Sequence, residues 1–124
     1  MPIVEVELVV SQDEVLAPDL AQKIADAAGQ VLKTPPGRTW IRLKTLESSR
    51  YAENGLPAQS VRPVFVSVLK QRRPDTETLR KEVKTLTENI AAACDRPAEN
   101  VHVLYLPAAA GRAAFGGELI DPAD

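Results

Sequence analysis

The second residue of the chain is a proline, in the opening stretch Met1-Pro2-Ile3-Val4-Glu5-Val6. Removal of the initiator methionine, usual when the next residue is small, leaves Pro2 with a secondary amine that can act as a base. An ordinary α-amino group titrates at about pH 8 and is mostly protonated in neutral water. Desolvation in an apolar pocket, or arginines close by, lowers that value and makes the neutral amine the resting form. Such an amine is suited to moving a proton at a carbon next to a carbonyl. Proline is also well tolerated at a chain end with no role at all, so the reading depends on what the rest of the sequence sets around it.

Other chemistry is largely excluded by composition. Cys94 is the only cysteine and His102 the only histidine, which rules out an internal disulfide and leaves too few soft ligands for a typical zinc site. Cys94 lies among alanines near the end of an apolar-periodic segment and reads as a small buried hydrophobe, its thiolate disfavoured by the helix dipole. Gly111, Gly116 and Gly117 are not followed by Lys-Ser/Thr and do not stand between a strand and a helix, so they form neither a phosphate loop nor a dinucleotide fingerprint. No metal, nucleotide or other cofactor is expected. With 15 basic and 17 acidic residues the net charge is -2, which offers no attraction to nucleic acid or an anionic membrane. No apolar run approaches the roughly 18 residues that span a bilayer, and the opening lacks a basic-then-apolar signal. A soluble, cytoplasmic protein is expected.

The elements that must position Pro2 follow from periodicity. Ile3 to Val10 alternates, with Val4, Val6, Leu8 and Val10 on one side and Ile3, Glu5, Glu7 and Val9 on the other, and predicts a strand with one fully apolar face. Pro18 suits the first turn of a helix whose apolar positions are Leu20, Ile24, Ala27, Ala28 and Val31, with Lys33 at its close. Thr34-Pro35-Pro36-Gly37 breaks that helix, and Thr39 to Leu46 alternates as a second strand. Glu47 to Arg62 is polar and turn-rich, with Asn54-Gly55 and Pro57. The order then restarts. Pro63 to Leu69 predicts a strand, Asp75 an N-cap, Leu79, Val83, Leu86, Ile90 and Ala93 a helix ended by Asp95-Arg96-Pro97, and Val101 to Leu106 a fourth strand.

Laid on one another, the halves match Pro2 with Pro63, Ile24 with Leu86, Pro35 with Pro97 and Trp40 with His102, given one inserted residue. The fold class expected is therefore α+β: a tandem β-α-β repeat forming a four-stranded mixed sheet with both helices on one face. One domain covers residues 1–124, divided into repeat one (2–46), a connection (47–62), repeat two (63–106) and a C-terminal interface tail (107–124). The tail is too apolar for a free linker and too rich in glycine for a helix, which predicts a short ribbon or turn packed on a neighbouring subunit. The helix-free face of the sheet needs a cover, and copies of the same chain can supply it.

These features together, Met1-Pro2-Ile3-Val4 opening a strand, a doubled β-α-β unit and the Phe115-Gly-Gly-Glu-Leu ending, resemble the tautomerase superfamily, that of 4-oxalocrotonate tautomerase. The second half is the closest match, running from Pro63 to Leu69 through Arg73, Asp95-Arg96-Pro97 and the Val101-His102-Val103 strand. The doubled length is similar to macrophage migration inhibitory factor, malonate semialdehyde decarboxylase and cis-3-chloroacrylic acid dehalogenase, and Ser11-Gln12-Asp13 resembles the dehalogenase group.

The resemblance implies a homotrimer with Pro2 as catalytic base or acid at subunit borders and Arg73 binding a substrate carboxylate. It also implies that Lys70, at a position where the dehalogenase carries a second binding arginine, joins Arg72 and Arg73 in a cationic cluster for one carboxylate. A guanidinium is the natural bidentate partner for that group. His102 stands where the short enzymes carry an arginine and the inhibitory factor a tyrosine. Trp40 is its counterpart in the first half, Arg42 shares the Trp40 face of the strand, and either can line the pocket, as can Phe115. Pro63, being internal, has an amide nitrogen and cannot be a base. The implied activity is cofactor-independent keto-enol tautomerisation of small 2-keto or 2-hydroxy-dienoate carboxylates. Two alternatives stand beside it: hydration, dehalogenation or decarboxylation of small 3-substituted acids by a cationic proline, and a non-catalytic trimeric binding module. For water activation, the first helix offers only Ala27 and Ala28 where the family's histidine is expected.

Overall fold

The computed structural model describes residues 2–56 and 61–122; Met1 and Pro57 lie outside the described residues. Strand β1 (Ile3–Val10) buries Val4, Val6, Leu8 and Val10, the alternate set that its sequence makes wholly apolar. Helix α1 (Leu20–Leu32) follows and buries Leu20, Ile24 and Ala28, one side chain per turn. It begins after Pro18, whose neighbour Ala17 accepts a turn hydrogen bond from the Leu20 N–H at 3.1 Å. Strand β2 (Trp40–Glu47) closes the first unit.

The second unit repeats this order with β3 (Val64–Leu69), α2 (Thr76–Cys94) and β4 (Val101–Tyr105). Asp75 caps α2, its Oδ1 accepting the Thr78 N–H at 2.8 Å. The repeat shows in backbone as well as sequence. Each helix ends on a left-handed residue, Lys33 (φ 56°) and Asp95 (φ 54°), which occupy matching places in the two halves. Beyond each cap a proline opens a turn, with Arg38 N–H donating to the Pro35 carbonyl and Asn100 N–H to the Pro97 carbonyl.

The strand order is β2-β1-β3-β4. Strands β1 and β2 are parallel, as are β3 and β4, while β1 and β3 are antiparallel, so the sheet is mixed. Both helices lie on the face carrying Val4, Val6, Val66 and Val68, and a single core joins these to Ile24, Leu86 and Ile90. Complete burial of each such side chain contributes about 1.5–3 kcal/mol. Among the described residues no helix covers the other face of the sheet, on which Phe115 meets Trp40 and Tyr51 meets Phe65. It carries Phe65 (38% exposed), Leu104 (61%) and Trp40 (39%) among the charges of Glu5, Glu7, Arg42 and Lys44.

Arg96, with a side chain only 7% exposed, ties the second unit to the first. Its guanidinium donates to the carbonyls of Arg62 and Val9 and to both oxygens of Glu14, at 3.0 to 3.1 Å. The tail folds back as the expected short ribbon, strands β5 (Ala114–Phe115) and β6 (Glu118–Leu119) turning at Gly116 and Gly117, both with positive φ.

Candidate active site

The β1 register fixes the surroundings of Pro2. Ile3 pairs with Trp40 on one side and Leu69 on the other, and the Trp40 N–H donates to the Pro2 carbonyl at 3.0 Å. One residue before the Ile3–Leu69 pair, the antiparallel register sets Pro2 opposite Lys70, both on the helix side of the sheet. Pro2 is buried. The link from β3 to α2 leaves the sheet at this same end, and with it go Arg72 and Arg73. These two exposed side chains line a surface groove of about 470 Å³ with Pro74, Thr76, Leu79 and Ala108, and neither forms an ion pair among the described residues.

The tail crosses this end of the sheet. Ala109 and Ala110 donate to the carbonyls of Lys70 and Gln71 at 2.8 and 3.0 Å on the β4 side. The ribbon then carries Phe115 to the opposite edge, where its ring meets Trp40 edge to face with centroids 5.5 Å apart. The Trp40 indole N–H is satisfied by the Gly37 carbonyl at 2.9 Å. Strand β1, which Pro2 opens, lies between these two anchor points.

Lys70 is engaged within the chain. Its Nζ donates to Glu82 Oε1 at 2.7 Å, and the Tyr105 hydroxyl donates to Oε2 of the same carboxylate at 2.7 Å. Burial pushes the Tyr105 phenol far above its ordinary value, and the Glu82 hydrogen bond and charge add to the rise. Of the three cations in the cluster, Arg72 and Arg73 have no ion-pair partner among the described residues and Lys70 is matched. The Glu82 side chain is 11% exposed and faces the groove between the end of α1 and the start of α2, with Lys33 and Lys81 also along it. Glu82 was not among the residues singled out from sequence. A signal existed: it follows Leu79 by three and precedes Leu86 by four, which puts a carboxylate inside the apolar stripe of α2.

Arg42 lies on the uncovered face, where its Nη1 donates to Glu5 at 2.6 Å and Lys44 approaches the same carboxylate at 3.7 Å. His102 is at the far end of the sheet. It pairs with Phe65, whose partner on β1 is Glu7, and the rings of Phe65 and His102 stand 5.7 Å apart. Within one chain, then, Pro2 shares its end of the sheet with Trp40, Phe115, Lys70, Arg72 and Arg73, whereas His102 accompanies Pro63. Among the described residues no group of three His, Cys, Asp or Glu could hold a metal ion, and no helix is long and apolar enough to cross a membrane.

No protein-family model matches the sequence, and no characterised protein matches it by sequence. Solved structures do match. Macrophage migration inhibitory factor from Oncomelania hupensis superposes with a TM-score of 0.74 at 16% identity, over 98% of this chain and 83% of that one. A fused 4-OT described as an asymmetric trimer gives 0.71 at 17%, over 93% and 94%. The FG41 malonate semialdehyde decarboxylase, inhibited by 3-bromopropiolate, gives 0.65 at 21%, over 92% and 90%. The chain has the fold of macrophage migration inhibitory factor and of fused 4-OT. At these identities the likeness is one of fold; in this chain Pro2 stands just before β1, and Arg72 and Arg73 stand in the link just before α2.

Proposed function

We propose that the chain is a cofactor-independent keto-enol tautomerase acting on small 2-keto or 2-hydroxy-dienoate carboxylates, with Pro2 as general base and acid. The observation that carries this reading is the company of Pro2: a buried start of β1 at the end of the sheet where Arg72 and Arg73 stand unpaired. Arg73, with Arg72, holds the substrate carboxylate. The neutral amine of Met1-free Pro2 takes the proton of the enol oxygen or of carbon, and the resulting prolinium returns it to carbon, so no net change of oxidation state occurs. Trp40 and Phe115 close the same end of the sheet on its other face, beside Ile3. The work is done by a homotrimer in the cytoplasm. In it the uncovered sheet faces are buried against one another, and His102, remote from Pro2 in its own chain, is available at a subunit border.

Two further readings each have an observation in their favour. Glu82 supplies a carboxylate near Pro2, as hydration, dehalogenation or decarboxylation by a cationic proline requires, but Lys70 and Tyr105 already engage both of its oxygens. The Arg72–Arg73 groove, which Pro2 does not line, favours a non-catalytic trimeric binding module.

The deciding experiment is the rate of ketonisation of phenylenolpyruvate, a monocarboxylate, by the purified protein, its N-terminus checked by mass spectrometry. Pro2→Ala and Arg73→Ala are assayed beside it. Turnover by the wild type and its loss in both variants uphold the proposal. An inert Met1-free wild type, or a Pro2→Ala variant of equal activity, removes it.

A further inference from the structure

The Lys70–Glu82–Tyr105 cluster is not explained by packing. A carboxylate inside the apolar stripe of a helix costs free energy unless it is fully matched, and here each Glu82 oxygen has a dedicated donor at 2.7 Å, one charged and one neutral. Tyr105 reaches it from β4 and Lys70 from the end of β3, so three elements converge on one carboxylate. The cluster lies at the Pro2 end of the sheet, since Lys70 stands opposite Pro2 and Tyr105 pairs with Val68, the residue opposite Val4. Lys70 is 19% exposed at its side chain, whereas Arg72 and Arg73 are open. A ligand carboxylate in the Arg72–Arg73 groove meets two guanidiniums without an ion pair among the described residues, while the ammonium of the same loop is already answered from within.

We infer that Glu82 is a specificity-determining residue: an internal carboxylate, held by Tyr105, that occupies Lys70 and restricts the site to ligands with a single carboxylate. This deepens the proposed function, because it uses the same site and names the ligand class that the site accepts. Arg72 and Arg73 take the one carboxylate. A second carboxylate on the ligand has to compete with Glu82 for Lys70, and it meets the repulsion of Glu82 as it does so. Tyr105 is a positioning residue here, acting through Glu82. Removing the negative charge while keeping the shape frees Lys70 for the ligand and removes the repulsion together.

The test uses two unreactive six-carbon dienes that differ by one carboxylate, sorbate and trans,trans-muconate, with binding measured by titration calorimetry at fixed ionic strength. The wild type is expected to bind sorbate at least as tightly as muconate. Glu82→Gln is expected to tighten muconate about tenfold, the scale of one charge-assisted contact, and to leave sorbate within about twofold. Lys70→Met added to Glu82→Gln should abolish the gain. Tyr105→Phe should give a smaller gain of the same sign. Equal tightening of both ligands, no gain for muconate, or a gain that survives loss of Lys70 would overturn the inference. Circular dichroism confirms folding of each variant, and Glu82→Leu serves if the glutamine variant does not fold. Phenylenolpyruvate turnover by the wild type is read in parallel. An active wild type without the muconate gain removes the inference alone, and an inert wild type with the gain removes the tautomerase reading alone.

Discussion

Phe115 meets Trp40 edge to face, with 5.5 Å between ring centroids and 69° between ring planes. One ring comes from the tail ribbon and the other from the first residue of β2, so this pair closes the tail across the end of the sheet where Pro2 lies. Such a pair contributes about 0.5–1.5 kcal/mol beyond the area it buries. Phe115→Ala should therefore lower stability in urea by about 1–2 kcal/mol and lower kcat/KM for phenylenolpyruvate about tenfold. The Gly111 and Ile120 amides, which bond the Ile120 and Ala113 carbonyls at 2.9 Å, should lose hydrogen-exchange protection in the same variant. Unchanged protection would show that the tail holds without the ring.

Arg73 is exposed and unpaired among the described residues, so its replacement changes charge presentation without disturbing the core. Arg73→Lys keeps the charge and loses the planar fork. Its KM should rise about tenfold with kcat little altered, and Arg73→Ala should raise it further, while both stay within about 0.5 kcal/mol of wild-type stability. Steady-state kinetics beside urea melts check both statements.

Glu14 gives stability a pH dependence. Burial raises its carboxyl pKa, but hydrogen bonds from Arg96 and the Ser11 N–H, with the charges of Arg96 and Arg62, outweigh burial and leave it below the ordinary value. A carboxyl depressed in the folded state contributes stability that is fully present above its unfolded pKa of 4.5 and is lost as pH falls through the folded value. Glu14→Gln should consequently cost stability at pH 7 and much less at the acid end of that window. Arg96→Met strands the Glu14 charge and several carbonyls, and should cost about 3 kcal/mol. Urea unfolding at stepped pH values measures each.

Cys94 is 5% exposed, and burial pushes its thiol up to about 11, against a smaller lowering by Arg96. At pH 8 its labelling by a neutral thiol reagent should be slow in the folded protein. Because thiolate and access are both lacking in the folded state, labelling should accelerate with urea in step with global unfolding. Fast labelling in the absence of urea would contradict this.

The sheet, its helices and the tail ribbon were legible because each rests on local signals: alternation in β1 and β3, four-residue spacing in Leu20, Ile24 and Ala28, and a cap at Asp75. The doubling was legible because Pro35 and Pro97 terminate both helices, whereas His102, read from sequence as a substrate-binding residue, stands beside Pro63 at the other end of the sheet. Boundaries moved by a residue or two, as with β2, expected from Thr39 to Leu46 and found from Trp40 to Glu47. The ion clusters were not legible. Arg96 with Glu14, and Lys70 with Glu82, join residues distant in sequence whose types alone suggest solvated charges; the meeting of the two repeats makes partners of the first pair, and the crossing of β3, α2 and β4 of the second. The cationic loop from Lys70 to Arg73 was recognised as a unit, yet the difference between its matched lysine and its free arginines is a tertiary fact.

The filling around Arg96 bears on what a doubled chain does with its second half. Cutting the backbone before Pro63 would give that proline an amine like the one Pro2 gains when Met1 leaves. Pro63 is nonetheless fully buried, and the Arg96 guanidinium spans the Arg62 and Val9 carbonyls and Glu14 beside it. The liberated amine would have a nucleophile's chemistry and no room for an electrophile. In the second repeat the place of the opening proline is given over to packing and to the Arg96 cluster.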